Sequence, residues 1–133
     1  MKRDRMDRNK SMVYVIDDDE PVRKAFGRLM RSADIGVEIF SSPDEFLSVD
    51  RSKDNACILL DIRMPGSTGF EFMEVMAAEK IPLPVIIVSA SDDVHIRERA
   101  RELGAMAFFR KPVDDQALLD AIWWAISGTK EKG

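Results

Sequence analysis

Apolar residues in this chain follow two rhythms. Short unbroken runs, Val13-Tyr14-Val15-Ile16, Cys57-Ile58-Leu59-Leu60, Val85-Ile86-Ile87-Val88 and Ala107-Phe108-Phe109, alternate with longer stretches where apolar positions recur every three or four residues. An unbroken Val- and Ile-rich run predicts a strand covered on both faces, because a strand with one wet face alternates. A weaker run, Val37-Glu38-Ile39-Phe40, adds a fifth strand. The spaced stretches predict amphipathic helices. Val22, Ala25, Phe26, Leu29 and Met30 form the first, capped by Asp19 or Glu20 and closed by Gly36. Ser41-Ser42-Pro43 reads as a cap for a short helix through Phe46-Leu47. Phe70, Met73 and Met76-Ala77 form the next, stopped before Pro82 and Pro84. Ile96, Ala100 and Leu103 form another, ended by Gly104. Asp114 or Asp115 opens the last, with Leu119, Ile122, Trp123 and Ile126 on one face.

Strand then helix, repeated five times, predicts an α/β fold: a doubly wound, five-stranded parallel sheet with helices on both faces. With right-handed crossovers, the flavodoxin-like strand order 2-1-3-4-5 makes the first and third strands neighbours at the point where ligands bind. At 133 residues the chain suits one domain. Residues 12–127 carry the pattern, and 1–11 and 128–133 read as a flexible tail and as a tail or the start of a linker. The apolar run after the N-terminus is too short for a signal peptide or a membrane span. Net charge is −4, with the basic residues scattered, which argues against nucleic-acid binding by this segment. The single cysteine, Cys57, lies inside an apolar run and has no intrachain disulfide partner, as expected of a reducing cytoplasm.

The chemistry sits where the runs stop. The first ends in Asp17-Asp18-Asp19, the third in Asp61, the fourth in Ser89, and the fifth passes through Arg110 into Lys111-Pro112. In a parallel sheet these ends share one edge. Carboxylates gathered there repel unless a cation joins them. Oxygen ligands without His or Cys favour a hard ion, Mg2+ above all. Asp19 fits a helix cap better than a ligand, which leaves Asp17, Asp18 and Asp61 for the metal. Lys111 supplies an ammonium able to pair with Asp61 or with a phosphoryl oxygen, and Ser89 a hydroxyl.

Together these residues resemble the receiver domain of bacterial two-component response regulators. The matching text is Val15-Ile16-Asp17-Asp18-Asp19-Glu20-Pro21, Leu59-Leu60-Asp61-Ile62-Arg63-Met64-Pro65-Gly66, Val88-Ser89-Ala90 and Phe108-Phe109-Arg110-Lys111-Pro112. It is most similar to the receivers of nitrogen-fixation-type transcriptional regulators. The resemblance implies that Asp61 is the phosphoacceptor, taking a phosphoryl group from a phosphohistidine of a sensor histidine kinase or phosphotransfer protein. It implies Mg2+ held by Asp17, Asp18, Asp61 and the backbone carbonyl of Arg63. Lys111 and Ser89 would contact the phosphoryl group, Ser89 and Phe108 would form the switch, and Gly69 suits the turn into the next helix. Arg63 and Ser91, each two residues beyond a site residue, are expected to tune phosphoryl lifetime. The switched surface would comprise the fourth helix, fifth strand and fifth helix.

His95, the only histidine, has no ligating or catalytic partner in the pattern and reads as a solvated helix residue. Trp123 and Trp124 stand about 100° apart on a helix, so Trp124 points away from the core and is a candidate for homodimer contact through the switched surface. The competing function is an aspartyl-nucleophile phosphohydrolase or phosphotransferase of similar architecture. Such enzymes commonly place a second carboxylate two residues after the nucleophile. Here that position is Arg63, and the chain has no room for a substrate-covering insertion. The expectation is a signalling domain that promotes only its own phosphorylation and dephosphorylation.

Overall fold

The four unbroken apolar runs and the weaker fifth each form a parallel strand: β1 (Met12–Ile16), β2 (Gly36–Phe40), β3 (Ala56–Asp61), β4 (Val85–Ser89) and β5 (Ala107–Arg110). The helices between them are α1 (Glu20–Ser32), α2 (Pro43–Leu47), α3 (Gly69–Ala78), α4 (Val94–Glu102) and α5 (Asp115–Lys132). A two-residue antiparallel ribbon, Arg63–Met64 against Ser67–Thr68, leads from β3 into α3. The computed structural model describes residues 11–48, 50, 54–64, 67–91 and 93–132; the expected tail up to residue 10, and Pro65-Gly66, lie outside them. Among the described residues no helix is long and apolar enough to cross a membrane.

The sheet order is β2-β1-β3-β4-β5, every pair parallel, as the repeat predicts. β3 is central and all six of its residues are buried. Alternation along the strands divides the core in two. Tyr14, Ile16, Ile58, Leu60 and Ile87 pack with Phe46, Phe72, Met73 and Met76 on one face. Val13, Val15, Cys57, Leu59, Ile86 and Val88 pack with Met30, Leu118, Ile122 and Ile126 on the other. Each large aliphatic chain buried this way contributes about 1.5–3 kcal/mol. On the first face Phe46 ties the layers together, its ring centroid 5.3 Å from Tyr14, 5.5 Å from Phe40 and 5.7 Å from Phe72.

Several helix details differ from the pattern. In α5 it is Leu118, not Leu119, that is fully buried beside Ile122, Ala125 and Ile126; Leu119 is only half-covered. In α1 Gly27 and Met30 are buried, Val22, Phe26 and Leu29 half-buried, and Ala25 exposed. The apolar stripe of α1 therefore overhangs the core. Asp19 occupies the N-cap position of α1 but its side chain makes no capping bond. Instead its carbonyl accepts the helical bond from the Arg23 N–H and its own N–H donates to Asp17 Oδ1 at 2.9 Å. Two other caps follow expectation, Ser42 Oγ accepting from the Glu45 N–H and Asp114 Oδ2 from the Ala117 N–H; a further one, Asp93 Oδ1 accepting from the His95 N–H, is not among those the sequence pattern predicts. Gly104, at φ +93°, turns the chain out of α4 in a conformation that favours glycine. Ser11 is buried, its carbonyl accepting from the Gly36 N–H, and α5 continues past residue 127 to Lys132.

Candidate functional site

Three strands end in a charge on the same face of the sheet. Val13 and Val15 are followed two residues on by Asp17, Cys57 and Leu59 by Asp61, and Ala107 and Phe109 by Lys111. Because strand side chains alternate, these charges continue the face that α1 and α5 cover. The result is a compact ion cluster at the C-terminal edge. Lys111 Nζ donates to Asp17 Oδ2 at 3.1 Å and to Asp61 Oδ2 at 3.5 Å. Asp17 and Asp61 are 1% and 6% exposed, while Asp18 is open to solvent. Carboxylate oxygens of Asp17, Asp18 and Asp61 all lie within 4.8 Å of one another.

Burial is the main cause that raises the Asp61 pKa, and the Asp17 charge adds to it; Lys111 and the Arg63 N–H, 3.2 Å from Asp61 Oδ1, pull it back only in part. Burial works to lower the pKa of Lys111, but its hydrogen bond to Asp17 and the two carboxylate charges outweigh this, so the net direction is upward. A buried acid that resists ionisation, an ammonium shared between two carboxylates and a third acid in solvent form a site short of positive charge. An all-oxygen donor set of this size suits a hard divalent ion such as Mg2+.

Ser89 belongs to the opposite alternation, continuing Val85 and Ile87, and stands one residue beyond Val88, the partner of Asp61 in register. It is fully buried, and its Oγ accepts from the Ser91 N–H at 3.1 Å. Its carbonyl accepts from the Lys111 N–H at 2.8 Å, joining the β4 and β5 ends of the site. Phe108 pairs with Ile87, deeper along the strand, and is half-buried with the Arg97 guanidinium 5.4 Å from its ring centroid. It is not part of the ion cluster. Arg63 is exposed and Ser91 half-buried. His95 is exposed, as its sequence context implies, and Trp124 is 72% exposed on α5.

Two features were not legible as chemistry. Arg23 lies one turn above Gly27 on the core-facing stripe of α1, and its Nη1 donates to the carbonyl of Asp17 at 2.7 Å. An arginine heading a buried 23–27–30 stripe was the available signal. The second is an open groove of about 770 Å³ beside Lys111, walled by Val22, Ala25, Phe26 and Leu29 of α1 and by Pro112 and Val113. Gly69 also has a different reason from the one its place before a helix suggests. A Cβ there would lie 2.9 Å from Ile62 Cα and 3.0 Å from the Asp61 carbonyl oxygen, so close backbone approach is what requires glycine.

Comparison with known proteins agrees with this geometry. The model of the response regulator receiver domain matches residues 13–123. The transcriptional regulatory protein FixJ of Bradyrhizobium diazoefficiens is 37% identical over 117 residues, covering 88% of this chain and 57% of the relative. The transcriptional regulatory protein TdiR of Thauera aromatica is 34% identical, covering 92% and 54%. The chain thus spans about half the length of these curated relatives. Among solved structures, the response regulator StyR superposes with a TM-score of 0.85 at 38% identity, covering 92% of this chain and 62% of that one. The structure titled FixJ-N superposes at 0.81 and 30% identity, covering 89% and 94%.

Proposed function

The chain belongs to the response regulator receiver family, and from that premise we propose that Asp61 accepts a phosphoryl group from the phosphohistidine of a sensor kinase or phosphotransfer protein. The observation that carries this reading is the buried Asp61 carboxylate, held 3.5 Å from Lys111 Nζ within the cluster of Asp17 and Asp18. One Asp61 oxygen attacks phosphorus, the P–N bond breaks with its electron pair staying on the imidazole, and an acyl phosphate forms. The transfer needs alignment and charge neutralisation more than covalent help. Lys111 moves from the carboxylates to a phosphoryl oxygen, and the Ser89 hydroxyl donates to another. Asp17, Asp18, Asp61 and the carbonyl of Arg63 would hold Mg2+, which neutralises charge on the phosphoryl oxygens when bound. Arg63 and Ser91 flank the phosphoryl group and set how fast water removes it. An Arg63→Ala, Ser91→Ala pair with an unchanged dephosphorylation half-life would refute that role.

The groove beside Lys111 supports docking of the donor protein, since it is walled by apolar side chains and borders the ion cluster through Lys111. The message leaves through α4, β5 and α5, with Ser89 and Phe108 as the linked pair and Trp124 as the anchor for a second copy on that surface. Light scattering of the phosphorylated protein and of Trp124→Ala tests the dimer; a monomer at high concentration in both would exclude it. The setting that fits this chemistry is the cytoplasm, and the domain acts on no substrate beyond its own phosphoryl group. Arg63, where a phosphohydrolase commonly carries a second carboxylate, argues against that enzyme class.

Intact-mass measurement after treatment with acetyl phosphate and Mg2+ tests the central reading. One labile phosphoryl group is expected, absent in Asp61→Asn and after chelation. No gain in the parent protein would overturn it.

A further inference from the structure

We propose that Arg23 is a positioning residue for the cation site, fixing the backbone that carries Asp18. The proposal rests on the reading that a divalent ion joins Asp17, Asp18 and Asp61. Asp18 is exposed and, among the described residues, its side chain makes no hydrogen bond or ion pair, so its backbone alone aims it. Two bonds pin that backbone. The peptide before Asp18 is held by Arg23 Nη1 on the Asp17 carbonyl, 2.7 Å away. The peptide after it is held by the Asp19 N–H on Asp17 Oδ1, 2.9 Å away.

These pins respond differently to a cation. The second uses a carboxylate oxygen of Asp17, which an arriving ion draws on. The first uses a carbonyl and persists. Charge-assisted bonds of this length are among the stronger ones available to a loop. Arg23 also leaves the acids free: among the described residues no ion pair joins it to Asp17, Asp18 or Asp19. Lys111, by contrast, sits on both buried carboxylates. One cation of the site therefore competes for the acids while the other shapes the loop that presents them. Without Arg23 the Asp17–Asp18 peptide loses the pin that persists when the ion arrives, and the ion must order it on binding.

The test compares the parent with Arg23→Met, which keeps the apolar stem but loses the donor, and Arg23→Lys, which restores one. MgCl2 is titrated into each by calorimetry without phosphodonor, and the rate of phosphorylation by acetyl phosphate is followed across Mg2+ concentration. Arg23→Met is expected to weaken Mg2+ binding about tenfold, the lower end of what losing a group that orients a metal ligand costs. Arg23→Lys should recover most of it, and saturating Mg2+ should return the Arg23→Met rate to the parental one. Mg2+ affinity within about twofold of the parent in Arg23→Met, or a rate deficit that saturating Mg2+ leaves in place, would overturn the proposal. A parent that binds no Mg2+ would overturn the cation reading itself, and the proposal with it.

Discussion

Replacing Asp61 by Asn should stabilise the metal-free protein at neutral pH, although it removes the proposed acceptor. Oxygens of Asp17 and Asp61 within 4.8 Å of each other imply a repulsion of about 3.5 kcal/mol at an effective dielectric of about 20. Lys111, 3.5 Å from Asp61, returns about 4.7 kcal/mol on the same scale, yet it also serves Asp17. Burying an ionised carboxylate costs several kcal/mol more. The upward pKa of Asp61 says that burial and repulsion together outweigh Lys111 and the Arg63 N–H. Asparagine keeps the shape and the acceptor for that N–H and discards the charge. A net gain follows, read as a higher Tm for Asp61→Asn. The pH dependence has a definite sign. A carboxyl whose pKa is higher in the folded state binds more protons there, so stability falls as pH rises from the unfolded value of about 3.9 through the raised folded one. The advantage of Asp61→Asn should therefore be larger near pH 7 than at lower pH and shrink as pH falls toward about 4. Thermal melts by circular dichroism in EDTA at both pH values measure it, and excess Mg2+ should favour the parent instead. An Asp61→Asn variant melting at or below the parent near pH 7 in EDTA would refute the reasoning.

Gly69→Ala should cost about 1–3 kcal/mol, because its Cβ would meet the backbone of Ile62 and Asp61 at 2.9 and 3.0 Å and neither can move alone. Urea denaturation should show the loss and acetyl phosphate labelling should slow; unchanged values in both would contradict the close-approach account. The Cys57 thiol is buried and its pKa pushed up to about 12, so Ellman's reagent near pH 8 should react only after unfolding in urea. Prompt labelling of the native protein would show that the site opens.

What the sequence revealed and what it concealed divide on physical lines. Strands covered on both faces leave unbroken apolar runs, so β1, β3 and β4 were legible with the polar residues at their ends; β5 carries such a run too, yet Ala107, Phe108 and Phe109 are only half-buried at the sheet edge. The β-α repeat then brought Asp17 and Asp61 to neighbouring strands before any distance was known. The buried face of α5 was ambiguous, because adjacent Leu118 and Leu119 fit the same spacing and only packing against β3 selects Leu118. Asp19 has the right type for a cap, yet Asp17 Oδ1 satisfies the Asp19 N–H locally. Arg23 was concealed for another reason: a side chain bonded to a carbonyl leaves no complementary charge in the sequence to find. The stack of Arg97 on Phe108 joins α4 to β5 and has no local signature either.

The energetic tension at the ion cluster makes sense beside the thin attachment of α4. In that helix only Ala100 is buried and Ile96 half-covered, while the other seven residues face solvent. Two of its contacts to neighbouring elements are polar, made by exposed arginines. The Arg99–Glu74 pair at 2.6 Å is worth about 0.2–1 kcal/mol, and Arg97 over Phe108 about 0.5–1 kcal/mol. α5, by contrast, buries Leu118, Ile122, Ala125 and Ile126. Moving a two-state equilibrium from 1:99 to 99:1 takes about 5.5 kcal/mol. That is the scale of the single charge terms among Asp17, Asp61 and Lys111, and larger than the Arg99–Glu74 and Arg97–Phe108 contacts combined. On the proposed function, a phosphoryl group on Asp61 that draws Lys111 and Ser89 toward it would act on α4, which buries less than α5, because Ser89 ends the strand that leads into α4. On that proposal, the same cost that makes Asp61 unfavourable at rest would let its modification outweigh the contacts that hold α4.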